Sequence, residues 1–263
     1  MRVVWFGVLA ALTAIAGAAQ PDSCFKIRMV EGRPVADGVY VNGNGPYRFL
    51  IDTGTTLNHL APKVAKSIGL TPTFRTALST AAGTEEVPGA DGVEVAVYTI
   101  RAGGQRFLFA GAEALHQLAP GVQGVLGQAF LSRFDYWIDL RGKRMEFGKR
   151  EVAAGEIRMP FQSVYGRPVV TTSLGPMVLD SGAHEVTLFG GRMAPTSGQM
   201  MTMTGPALIG STPGTMFIGG RVVWHGDAIV LPGGAEPAAA GLMPMSLFRA
   251  VYVCNSGGYV SLD

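Results

Sequence analysis

Short apolar stretches bounded by glycine, asparagine and proline recur along the chain, and few are long enough for a helix. "GVYVNG" (38–43) and "RFLI" (48–51) carry β-branched and aromatic residues on either side of Asn-Gly, the pattern of a hairpin. "VEVAVYTI" (93–100) alternates, and "YWIDLRGKRMEF" (136–147) reads as two strands about an Arg-Gly turn. One helix stands out. In "APKVAKSIGL" (61–70), Pro62 lies near the start, Val64, Ala65 and Ile68 share a face, and Gly69 is the stop. The corresponding later stretch, "GGRMAPTSG" (190–198), has no such pattern and predicts no helix. With 37 glycines and 16 prolines spread throughout, the pattern predicts an all-β fold with many turns.

The pattern also repeats. "GRPV" occurs at Gly32–Val35 and again at Gly166–Val169, and each copy is followed by a Gly-Pro pair and an apolar strand that ends in aspartate. Those strands read "FLIDTG" and "MVLDSG". Further on, "GVLGQAFLSRFDYWIDLRGKRMEF" (124–147) aligns with "GLMPMSLFRAVYVCNSGGYVSL" (241–262) after a small deletion. The chain is read as a duplication with halves 25–150 and 151–263 and no low-complexity linker between them.

A lone Asp-hydroxyl-Gly triplet is usually a turn. Two of them at matching places in a duplicated chain, Asp52-Thr53-Gly54 and Asp180-Ser181-Gly182, suggest one site. Equivalent residues near a pseudo-twofold axis meet, as in a self-complementary interface. Two carboxylates about 4 Å apart repel by about 4 kcal/mol at an effective dielectric of 20, or roughly three pKa units. Such a pair holds one proton between its members near neutrality. The charged member can act as base toward a water while the protonated one donates to a carbonyl oxygen. Asp52 and Asp180 are the expected catalytic pair. Thr53 and Ser181 are expected to hydrogen-bond across the axis, and Gly54 and Gly182 to let the backbone turn tightly.

These motifs resemble the retropepsin-like and pepsin-like aspartic proteases in a single-chain, duplicated, bacterial-type secreted form. "RFLIDTGTTLNHLAPKVAKSIGL" is similar to the family's active-site strand and turn, and Val125-Leu126-Gly127 to the run that passes beneath the catalytic loop. The resemblance implies two β-barrel lobes in pseudo-twofold arrangement with a central cleft, and hydrolysis of peptide bonds without cofactor or metal. "LSTAAGTEEV" (78–87) occupies the flap position, with Ala82, Gly83 and Thr84 near its tip, and it lacks the flap tyrosine of pepsin-like enzymes. The second half departs from the family at Pro244, where glycine is expected after Leu242 and Met243. Met200, Met201 and Met203 are read either as a second, apolar flap or as a buried strand.

Other features bound the function. Residues 1–19 have the layout of a secretory signal peptide: one arginine, then an uncharged apolar run of 15 residues (Val3–Gly17) that falls short of the roughly 20 needed to span a membrane. The protein is therefore expected to be secreted or periplasmic, with no membrane span after cleavage. In an oxidising compartment Cys24 and Cys254 are expected to form a disulfide joining the termini. A net charge of +2 without a basic run argues against nucleic acid as a partner. The four histidines lack metal-ligand spacing, and no nucleophile elbow is present. His184, close after Asp180, is read either as tuning it or as an ordinary strand histidine. The expected partner is a peptide or protein substrate bound by a monomer. The rival reading is a peptide-binding protein of the same fold with weak or no hydrolysis, to which Pro244 and the shorter second half point.

Overall fold

The computed structural model describes residues 23–80, 82–190, 198–231 and 238–263. The expected signal segment, 1–19, and most of "GGRMAPTSG" lie outside them. In the first half the strands are β1 (Cys24–Lys26), β2 (Arg28–Val30), β3 (Arg33–Val41), β4 (Asn44–Ile51), β5 (Asn58–Leu60), β6 (Phe74–Thr80), β7 (Gly83–Val97), β8 (Ile100–Phe109), β9 (Gly124–Leu126), β10 (Tyr136–Asp139) and β11 (Arg144–Phe147). The second half gives β12 (Ile157–Pro160), β13 (Gln162–Val164), β14 (Arg167–Thr172), β15 (Gly175–Asp180), β16 (Thr187–Phe189), β17 (Gly198–Thr202), β18 (Gly205–Ile218), β19 (Arg221–Leu231), β20 (Gly241–Pro244), β21 (Ala250–Cys254) and β22 (Tyr259–Leu262). Helices among the described residues are short: α1 (Pro62–Ser67), α2 (Ala112–Leu118) and α3 (Gln128–Leu131). The protein is predominantly β, as the residue pattern predicts.

Two eight-stranded sheets have corresponding orders, β2-β3-β4-β9-β5-β8-β7-β6 and β13-β14-β15-β20-β16-β19-β18-β17. In each, the strand that leads to the aspartate pairs in parallel with a short buried strand from the end of its half. Ile51 faces Leu126, and Leu179 faces Met243. Both "GRPV" copies enter their sheets through two-residue hairpin turns with positive φ at both positions: Glu31 and Gly32 at 46° and 74°, Tyr165 and Gly166 at 53° and 81°. Asn42-Gly43 makes the same kind of turn between β3 and β4, whose backbone twist matches the right-handed twist of the strands it joins.

A third sheet, β1-β11-β10-β21-β22-β12, takes strands from both halves. Its central pairing sets Tyr136 against Val253 and Ile138 against Val251, all four fully buried. One apolar core runs from this sheet into the other two through Phe49, Ile51, Phe107, Met177, Leu179 and Met243. Each such side chain contributes about 1.5–3 kcal/mol on leaving water. The halves are therefore not separable at the floor of the molecule.

The expected disulfide is not formed. Cys24 and Cys254 lie in this same third sheet, but β11 and β10 run between their strands, with Cys24 opposite Glu146, Glu146 opposite Trp137, and Trp137 opposite Tyr252. Three strand spacings amount to about 14 Å, whereas a disulfide needs α-carbons within about 7 Å. Helices α2 and α3 were also not foreseen. α2 starts from Gly111 in the left-handed conformation, and neither helix has a capping side chain to announce it.

Candidate active site

Each aspartate sits where an apolar strand runs out. β4 delivers Asp52, whose N–H donates to the Leu126 carbonyl at 3.0 Å, and β15 ends in Asp180 opposite Pro244. The residues after them bind the two loops to each other. The Thr53 hydroxyl donates to the Leu179 carbonyl at 2.7 Å and accepts from the Ser181 N–H at 2.9 Å. In return the Ser181 hydroxyl donates to the Ile51 carbonyl at 2.6 Å and accepts from the Thr53 N–H at 3.1 Å. Both hydroxyls are buried, so each is saturated by the loop opposite. Losing either would leave two buried backbone groups without partners, at roughly 1–3 kcal/mol each.

Each carboxyl lies against the glycine of the opposite loop. Asp52 accepts from the Gly54 N–H and from the Thr55 hydroxyl, both at 2.9 Å. Asp180 accepts from two backbone groups, the Gly182 N–H at 2.7 Å and the Ala183 N–H at 3.1 Å. The two glycines are needed for space. The backbone turns at both, without positive φ, and a β-carbon on Gly182 would lie 2.7 Å from Asp52 Cγ, while one on Gly54 would press on the Asp180 carboxyl. Any side chain at either position would drive the carboxyls apart.

Electrostatically the pair is unequal. Burial pushes both carboxyls above the ordinary value. For Asp180 the charge of Asp52 adds to burial and raises it well above that value. For Asp52 the Thr55 hydroxyl, the neighbouring Asp180 carboxyl and the Gly54 N–H all oppose burial. The source of the inequality is legible in the sequence as Asp-Thr-Gly-Thr against Asp-Ser-Gly-Ala, a difference outside the two triplets.

Support from below is unequal as well. Gln128, first residue of α3, donates to the Thr53 carbonyl at 2.8 Å, and the Asn58 side chain accepts from the Gly127 N–H at 3.0 Å. A β-carbon on Gly127 would lie 2.8 Å from the Thr55 carbonyl oxygen, which explains glycine there. In the second half Pro244 is buried in the equivalent register and opens a short 3-10 turn, Met245–Leu247. Proline does not interrupt the pairing of β15 with β20.

The flap-position residues form the end of the β6–β7 hairpin, with Ala82 in the turn and Gly83 opposite Thr80. Met200 and Met201 lie in the half-buried strand β17 of a second hairpin, β17–β18. The hairpin ends touch. The Thr80 hydroxyl bonds the Thr202 hydroxyl at 3.0 Å and lies against that of Thr204. Met203, at the turn of the second hairpin, packs on the apolar cluster of Val35, Leu50, Leu115 and Val125 in the first half. His184 lies against the turn at Gly32, where a β-carbon would be 2.9 Å from its Nδ1.

Comparison with known families matches residues 38–130 to the family described as Aspartyl protease, and no curated protein matches the chain. The matched stretch contains β4, Asp52-Thr53-Gly54 and β9, and it ends before the second triplet. In this stretch, with its aspartate-bearing strand and the strand paired to it, the chain is similar to the aspartyl proteases, which supports a protease of the aspartic type.

Proposed function

We propose that the protein is an aspartic endopeptidase in which two β lobes, 25–150 and 151–263, face each other about a pseudo-twofold axis with a peptide cleft between them. The observation that carries this reading is the reciprocal bonding of Thr53 and Ser181, which holds the two aspartate-bearing loops together, with burial raising both carboxyls. In the proposed reaction Asp52 takes a proton from water as its oxygen adds to the scissile carbonyl carbon, and Asp180 gives its proton to the carbonyl oxygen. As the tetrahedral diol collapses, the C–N bond breaks. The amine leaves with the proton from Asp52, and Asp180 recovers one from a diol hydroxyl. The cycle ends with the original charge state.

Asp52→Asn removes the base, and Asp180→Asn removes the acid. Each is expected to lower peptide turnover by at least about a thousandfold, with folding and peptide binding preserved. A peptide library digested by the parent and read by mass spectrometry tests the activity itself. Binding without cleavage by the parent would favour the rival, a peptide-binding protein, for which Pro244 and the shorter second half speak. The further expectations, action outside the cytoplasm and a monomeric state, rest on the sequence of residues 1–19 and on both aspartates lying in one chain. Among the described residues no helix is long and apolar enough to cross a membrane.

A further inference from the structure

The repeated "GRPV" has a part in the site that neither triplet suggests. Arg33, from the first half, reaches the loop of the second half. Its Nε donates to the Gly182 carbonyl oxygen at 2.7 Å, and its Nη1 to the Glu31 carbonyl at 3.2 Å. The Gly182 carbonyl and the Ala183 N–H belong to one planar peptide unit, in which they point in opposite directions. That N–H is one of the two donors to Asp180 Oδ1. The turn before Arg33 is seated against the same loop, because Gly32 leaves room for His184.

We propose that Arg33 is a positioning residue for Asp180: by holding the Gly182 carbonyl it fixes the Gly182–Ala183 peptide plane and so aims the Ala183 N–H at the carboxyl. This rests on the reading of Asp180 as the acid of the pair. The ionisable groups around Asp180 are Asp52 across the pair, Arg33 behind the loop, His184 beyond Ala183, and Arg167, the repeat counterpart of Arg33, whose charge acts on both carboxyls. Without Arg33 the peptide plane is free to rotate, Asp180 loses a donor that favours its charged form, and a nearby positive charge is gone. Both changes raise the pH at which the pair gives up protons.

The test compares parent, Arg33→Lys and Arg33→Met by the pH profile of peptide hydrolysis, the carboxyl ¹³C titration of Asp180, and hydrogen exchange at the Ala183 amide. For Arg33→Met the expected results are kcat lower by about tenfold with KM nearly unchanged, and both limbs of the profile moved up by about one pH unit. The Asp180 titration should move the same way, and Ala183 exchange should quicken by about tenfold. Arg33→Lys, which keeps a charged donor, should recover part of each effect. If Arg33→Met does not fold, Arg33→Gln takes its place with the same readouts. Unchanged limbs, titration and Ala183 protection would overturn the proposal. The titration and exchange measurements need no hydrolysis, so a parent that cleaves no peptide refutes the protease reading and leaves the role of Arg33 to be decided by them.

Discussion

Thr55 stands three residues after Asp52, and Ala183 stands three after Asp180. The Thr55 hydroxyl donates to the Asp52 carboxyl and opposes the rise that burial causes there, whereas Ala183 offers Asp180 only its backbone N–H. The other carboxyl has a consequence for stability. Burial first, and the Asp52 charge second, raise Asp180 well above its ordinary 3.8. A raised folded value contributes stability that is complete below the unfolded value and fades as pH climbs through the folded one. The urea midpoint of the parent is therefore expected to fall as pH rises above 3.8, with a shallower fall for Asp180→Asn, which has no proton to lose there. Parallel curves for the two proteins would show that Asp180 titrates at its ordinary value.

Among the elements, the two long hairpins differ in what anchors them. The β6–β7 hairpin grows from its own sheet and meets its counterpart through Thr80. The β17–β18 hairpin is also pinned by Met203, which crosses to the first half and rests beside Gly111, at the start of α2, with Leu115 beneath it. α2 thus completes an apolar seat for a methionine from the other half, a role that its own seven residues do not advertise. Met203→Ala should remove most of that seat's contacts, roughly 1–2 kcal/mol at a half-buried site. The amides of residues 198–210 are then expected to exchange about tenfold faster, with those of β14 and β15 unchanged. Unchanged exchange in 198–210 would mean that the threonine contacts alone hold the hairpin.

For the molecule as a whole, the third sheet ties residues 25–150 to 151–263, because β10 of the first stretch pairs with β21 of the second. This sheet carries the structural work that a disulfide was expected to do. Cys24 is exposed and Cys254 buried, with two strands between theirs. In native protein a maleimide should label Cys24 within minutes and Cys254 only after unfolding, and a reductant should leave the melting temperature unchanged. Non-reducing mass spectrometry that found a Cys24–Cys254 bond would contradict the strand order of this sheet.

The sequence alone determined the parts that are local or repeated. Alternation and turn residues identified the β3–β4 and β10–β11 hairpins, and proline and glycine bracketed α1. The duplicated apolar-strand-then-aspartate pattern singled out Asp52 and Asp180. Each of these follows from backbone preferences or side-chain periodicity within a few residues, so no knowledge of distant neighbours was needed. What depended on distant neighbours was decided by the tertiary structure. Strand order placed two strands between the cysteines and so kept them apart. The approach of the two loops made Gly54 and Gly182 necessary for space as well. Arg33 was visible only as part of a repeat, because its partner, the Gly182 carbonyl, lies 149 residues away. The donors to each carboxyl are local, but the burial that raises both, and the charge of Asp52 on Asp180, arise only when the two halves pack together.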